Sequence, residues 1–385
     1  MAASLPARTL ARPAFEAAFA GPAFIGAMLA FEGTLAEAQA AEGLIPQDAA
    51  AAIARACAAL RIDEDALVAE GKGSATLAVP LVRMLKESVA HAAPDHSRHV
   101  HFGATSQDVL DTAMALCLKA CLEEADRSLE AAVRSLARRA REHRATPMLG
   151  RTLLQPAVPI TAGLKIARWA TALAQDRDRL AEAAATGLAV QLGGPVGDLA
   201  ALGPKGPAVR HRMALRLGLA DARAWQSHRN AWLDLLGRVA QVVLTAGKIA
   251  RDVALLAQPE VGEMREAPPS EGGRSSAMAH KRNPVACAHA LAAATRIPGL
   301  LAIVHASAVS EHERGLGGWQ AELATVPEIA GALGSSLDFV DAIGAGLVVD
   351  AARMRSNIAA YGAEGTPASL EGAVDEVLAE LAPYL

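Results

Sequence analysis

The nine residues from Ser275 to Asn283 carry two adjacent hydroxyls, Lys281, Arg282 and Asn283. Pro268, Pro269, Gly272 and Gly273 stop the helical pattern before them, and Pro284 suits the first turn of the next. The stretch is therefore a loop feeding a helix N-terminus. Backbone N–H groups in such a loop, with the helix dipole, favour an anion. Lys281 and Asn283 add a charge and a directed donor. The same composition also describes a flexible Gly/Ser linker running into a basic helix start. Elsewhere, Arg151 and Arg314 carry guanidinium forks, which match carboxylates two hydrogen bonds at a time. His101 and His143 are two imidazoles suited to proton transfer near neutral pH.

Helices must hold these groups in place. The chain has 385 residues, 52% of them hydrophobic but only 3% aromatic, so Ala, Leu and Val do the packing. That favours close-packed helices. Helical patterns cover residues 22–42, 46–59, 63–70 and 80–90. Thr105 or Ser106 can cap a long helix starting near Val109, whose stripe runs Leu118, Leu122, Ala125, Leu129, Ala132 and Leu136. Pro147 and Gly150 mark a loop, and a further helix is expected over about 159–185, with Gln155 near its N-terminus. Leu235, Val239, Val242, Ala246, Ile249, Val253 and Leu256 form a heptad on a helix of residues 231–258. Others start at Pro284 and cover 322–348, and the last segment holds one or two short helices. The expected fold is all-α: an N-terminal helical domain (1–104), a central long-helix bundle (105–348) and a short C-terminal remnant (349–385). Its apolar helix surface calls for an oligomer.

Several classes are excluded. A net charge of −4 argues against nucleic acid. The Gly-rich break at residues 191–197 lacks the preceding strand of a nucleotide-phosphate site. Cys57, Cys117, Cys121 and Cys287 show neither a disulfide framework nor metal-ligand spacing, so no metal is expected and a reducing, cytoplasmic compartment is. Pro13, Glu16 and Pro22 break the first apolar run, so neither a signal peptide nor a membrane span is expected there. No later run reads as long and charge-free enough to span.

The spacing Ser-Ser-x-Met-x-x-Lys-x-Asn, from Ser275 to Asn283, resembles the diagnostic motif of the fumarase/aspartase superfamily. His101 to Asp108 and Gly150 to Thr161 resemble its other two active-site regions. Residues 146–152, 247–252 and 311–317 are similar to those of the bacterial 3-carboxy-cis,cis-muconate cycloisomerases, a resemblance covering roughly residues 15–355. It implies a cofactor-free enzyme of protocatechuate catabolism that interconverts a tricarboxylate diene and its γ-lactone. It also implies a homotetramer whose sites are each built from three subunits. By the superfamily pattern Ser275 is the base or its counterpart in proton return, helped by Lys281. A serine does this only if cations and N–H donors stabilise its alkoxide. Thr105, Ser106, Arg151, Thr152, Gln155, Asn283 and Arg314 are the implied substrate contacts, and either His101 or His143 the acid. Thr105 and Ser106 also suit plain helix capping, Gln155 a helix N-terminus, and Ser275 a loop hydroxyl.

The chain departs from the pattern at three places. Leu153 follows Gly-Arg-Thr where many superfamily lyases have His and the cycloisomerases commonly Trp. This argues against argininosuccinate and adenylosuccinate lyases and alters the pocket. Arg274 and Ala279 replace a usual Gly and Pro of the signature loop. The third helical domain of longer members is nearly absent. A fumarate-releasing lyase and a catalytically silent helical oligomer are the alternatives.

Overall fold

The computed structural model describes residues 5–267, 281–362 and 369–384. These form helices with two short antiparallel strand pairs. Helices α1 (Gly21–Ala41), α2 (Gln47–Ala59) and α3 (Ala78–Ala92) make the N-terminal layer. Met28, Phe31 and Leu35 of α1 pack there with Ile53 of α2 and Leu81 and Leu85 of α3. This core also takes Val109, Leu110 and Ala113 from the start of the next helix.

That helix, α4 (Ser106–Glu142), has 37 residues and is about 55 Å long at 1.5 Å per residue. Its expected stripe from Leu118 to Leu136 is buried. With α5 (Ala162–Gly187), α6 (Asn230–Leu256), α7 (Val285–Ser307) and α8 (Gly318–Gly346) it forms the bundle. All seven heptad positions of α6 lie inside this core, which is why the helix holds its register over its full length.

Polar ties fix the helix directions. Arg229, just before α6, pairs with Asp111 near the start of α4 and Glu322 near the start of α8, so these three helices begin at one end. We call it the upper end. At the lower end Arg139 donates to the Leu347 carbonyl at 2.8 Å and Ser135 to the Gly344 carbonyl at 2.6 Å. Helices α5 and α7 run the other way, each following a chain segment at the lower end.

Two expectations need correction. Residues 147–161 are not a loop and a helix start but a β-hairpin. Strand β1 (Pro147–Thr152) pairs with β2 (Gln155–Thr161), with a bulge between Leu149 and Arg151. Helix α5 begins only at Ala162, where Thr161 Oγ1 accepts the Leu164 N–H at 3.0 Å. Pro156 and Pro159 fix extended backbone and cannot donate, which suits an edge strand rather than a helix. Gln155 is thus a strand residue.

The second correction concerns apolar runs. Helix α7 is long and apolar enough to cross a membrane, by length and composition, and only 33% of its most apolar window is buried. It nevertheless packs between α6 and α8, and Arg296 reaches Glu328 of α8 at 2.6 Å.

Candidate active site

The candidate residues fall at opposite ends of the bundle. At the upper end, residues 101–105 make the turn into α4. His101 sits there with a positive φ of 63°, uncommon for a non-glycine residue. Its Nδ1 donates to Glu32 Oε1 on α1 at 2.6 Å. Burial works to lower the imidazole pKa, but the Glu32 carboxylate, aided by Asp108, outweighs it and holds the pKa above the ordinary value. His101 and Ser106 line a cleft of about 350 Å³, together with Val79, Val82, Arg83 and Lys86 of α3. Thr105 Oγ1 accepts from the Arg314 guanidinium at 2.7 Å. Arg314 also donates to the Pro195 carbonyl at 3.2 Å. Its Nε is buried without a partner, and it pairs with no carboxylate among the described residues. Thr105 and Arg314, 209 residues apart in sequence, are therefore neighbours with an uncompensated positive charge between them.

Asp108 explains the Gly-rich break. Its buried carboxylate accepts from the N–H groups of Thr105, Gly193 and Gly194 and from Gln191 Nε2, all at 2.9–3.0 Å. Burial pushes its carboxyl up to about 6, against the pull of these donors. The glycines thus let backbone approach a carboxylate at the start of α4. Below it, Asp111 and Glu322 flank Arg229, and Trp319, Trp232 and Gln107 donate to the same carboxylates. Burial alone would lower the Arg229 pKa, but the two acids raise it, and burial raises that of Glu322.

The lower end holds the other candidates. His143 caps the C-terminus of α4, about 55 Å along the helix axis from the turn carrying His101. Its Nδ1 lies 3.2 Å from Thr146 Oγ1. Burial, and then Arg139, lower its pKa, which keeps the imidazole neutral near pH 7. Arg151 spends its fork on Glu263, at 2.7 and 2.9 Å, and Asn357 donates to the same carboxylate at 2.8 Å. Thr152 and Gln155 face each other at the end of the hairpin, both exposed. The turn between them, Leu153-Leu154, has positive φ at both residues and exposes them by 96% and 73%. Glu266 accepts the N–H groups of Ala286 and Cys287 at 3.1 and 2.9 Å. The Ala286 and Cys287 N–H groups in the first turn of α7 are thus taken by a carboxylate of its own chain, while the loop N–H groups expected to hold an anion lie outside the described residues. Lys281 and Asn283 are exposed just before that turn. Ser275, Arg274 and Ala279 lie outside the described residues.

Among the described residues no group of three or more His, Cys, Asp or Glu could hold a metal. Sequence reasoning missed Glu32, Lys86, Asp108, Arg229 and Glu263. One signal was available: Glu32 interrupts the apolar run Met28-Leu29-Ala30-Phe31, an expensive place for an unpartnered charge.

The profile of a protein family described as lyase matches residues 9–299. A 3-carboxy-cis,cis-muconate cycloisomerase of Bradyrhizobium diazoefficiens is 46% identical over 86% of this chain and 74% of its own length. A nitrosuccinate lyase of Streptomyces davaonensis is 39% identical over 89% of this chain and 74% of its own. Among solved structures, the 3-carboxy-cis,cis-muconate lactonizing enzyme of Pseudomonas putida superposes with a TM-score of 0.85 at 35% identity, covering 98% of this chain and 88% of that one.

Proposed function

Because the chain belongs to the lyase family, within the fumarase/aspartase superfamily, we propose that it interconverts 3-carboxy-cis,cis-muconate and its γ-carboxymuconolactone. The observation that carries this reading is the 46% identity to a cycloisomerase of that name over most of both chains. In lactonisation one carboxylate oxygen bonds to a diene carbon, and a proton is delivered to the neighbouring carbon. Before that proton arrives, negative charge spreads onto the carboxylate next to it. Donors fixed in advance lower this barrier because they bind the spread charge better than the ground state.

The upper end supplies suitable groups. His101 carries a proton, and Arg314, held by Thr105 and Pro195, offers an unspent positive charge to a substrate carboxylate. Ser106 completes this set at the helix start. Lys281 and Asn283 belong to the other half; Ser275, the base or proton-return group of the superfamily pattern, lies outside the described residues. These halves stand at opposite ends of the bundle, so a site containing both takes them from different copies of the chain. We therefore infer a homotetramer with shared sites, acting on a tricarboxylate in the cytoplasm within protocatechuate catabolism. His143, Arg151, Thr152 and Gln155 would enter such a site from the lower end. Arg151 would do so as the Glu263-held wall of the hairpin.

The test is ultraviolet absorbance of 3-carboxy-cis,cis-muconate with purified protein in EDTA. Loss of the conjugated-diene signal supports the reading, and no loss contradicts it. The similarity to a nitrosuccinate lyase favours one second reading, elimination from a succinyl adduct. Fumarate formed from such adducts, with the diene untouched, would establish it instead.

A further inference from the structure

Glu32 is buried in the first long helix, yet its Oε2 has no hydrogen-bond partner. Its other oxygen meets only His101 Nδ1. A buried carboxylate needs a compensating charge. No lysine or arginine pairs with Glu32 among the described residues, so the imidazolium of His101 is the group that can supply it. The positive φ of His101 adds backbone strain, which persists only where surroundings enforce it. Gln39, one helix turn pair further along α1, donates to the Phe102 carbonyl at 2.6 Å and clamps the same turn. With Nδ1 on Glu32, the ring turns its edge to the cleft that Ser106 and Lys86 also line, and Nε2 has no partner among the described residues.

We propose that Glu32 is a positioning residue that keeps His101 doubly protonated at rest and so dedicates Nε2–H to proton donation into this cleft. This rests on the cycloisomerase reading for its substrate. The step balances: the Nε2–H bond breaks, a C–H bond forms beside the substrate carboxylate, and the imidazole left behind stays hydrogen-bonded to Glu32 through Nδ1. Solvent then returns the proton. The charged groups around the ring are Glu32 from α1, Lys86 from α3 and Asp108 from α4, with Arg83 and Glu87 on the cleft wall. Arg83 is spent on Glu70 and Glu87. Lys86 opposes the imidazolium, and Glu32 and Asp108 favour it.

The experiment is an NMR titration of the His101 ring in the whole protein, assigned with His101→Asn, in wild type and Glu32→Gln, beside the pH profile of kcat/KM. In wild type the ring should titrate above the free-histidine value of about 6.5. In Glu32→Gln it should fall by about one unit or more, the usual effect of losing an adjacent opposite charge. The basic limb of kcat/KM should move down with it, and Glu32→Asp should restore part of both shifts. A wild-type ring titrating at or below 6.5 overturns the proposal, and so does a change of less than about 0.3 unit in Glu32→Gln. If Glu32→Gln does not fold, the wild-type titration and Glu32→Asp decide in the same way. A wild type that leaves the diene intact defeats the cycloisomerase reading instead, and the ring titration still judges Glu32.

Discussion

The two ends of the bundle solve the problem of charge in opposite ways. At the upper end buried groups compensate one another inside the chain: Arg229 lies between Asp111 and Glu322, and Asp108 among four donors. Arg314 and the cleft-facing edge of His101 keep positive, donating capacity to spare. At the lower end Arg151 is paired with Glu263 and the α7 start with Glu266, and apolar side chains are exposed on the hairpin. Leu153, Leu154 and Val158 stand in solvent on a hairpin whose turn runs against backbone preference. The upper end also exposes Val309 and Leu316, by 84% and 88%, but it adds an unspent charge aimed at a small ligand. The apolar surface at both ends calls for contact with something larger, and we take that to be another copy of the chain.

The contrast can be broken most violently at Arg229. Arg229→Met leaves Asp111 and Glu322 buried without their cation, and should cost about 3–5 kcal/mol of stability. Urea unfolding of the variant checks this. A loss below about 1 kcal/mol would mean the upper end is not held by this cluster. Arg314→Ala should leave the unfolding midpoint almost unchanged while lowering kcat/KM about a hundredfold, as removal of one fixed donor does. Thr105→Ala should cost less, since it removes only the hydroxyl that seats Arg314.

A subtler effect concerns pH. His101 has a raised native pKa, so its contribution to stability is fully present below the unfolded value of about 6.5 and is lost as pH rises through the native one. The stability difference between wild type and His101→Asn should therefore shrink as urea midpoints are taken from pH 6 upward. A difference that grows would reverse the sign of the Glu32 pair. At the lower end Leu153→Asp should leave each subunit folded, because the side chain is 96% exposed, but weaken self-association in light scattering. An unchanged molar mass would mean the hairpin tip is not an intersubunit surface.

Periodicity made the long helices readable. The α6 stripe repeats over the full helix, and each of its positions reaches the core. The hairpin was unreadable for local reasons. Its two-residue turn wants φ above zero twice, for which Asn-Gly is the usual signal, and here Leu153-Leu154 adopts it without one. Thr105 and Arg314 were visible as separate candidates, but nothing local says they touch. Their contact, like those of His101 with Glu32 and Arg151 with Glu263, spans 209, 69 and 112 residues and follows only from how the helices pack. At the α7 start the same holds: Glu266, outside the motif, is folded back onto the Ala286 and Cys287 N–H groups, which no local pattern announces.

The claim that joins the two ends is that one active site draws on both, from different subunits. Subunit mixing tests it directly. Arg314→Ala alters the upper end and Lys281→Ala the lower. Each variant alone should consume the diene slowly. Unfolded together and refolded as mixed oligomers, they should regain a clear fraction of wild-type activity, because some sites then combine two intact halves. A mixture no faster than the average of the two variants, with mixed oligomers demonstrably formed, would contradict the account.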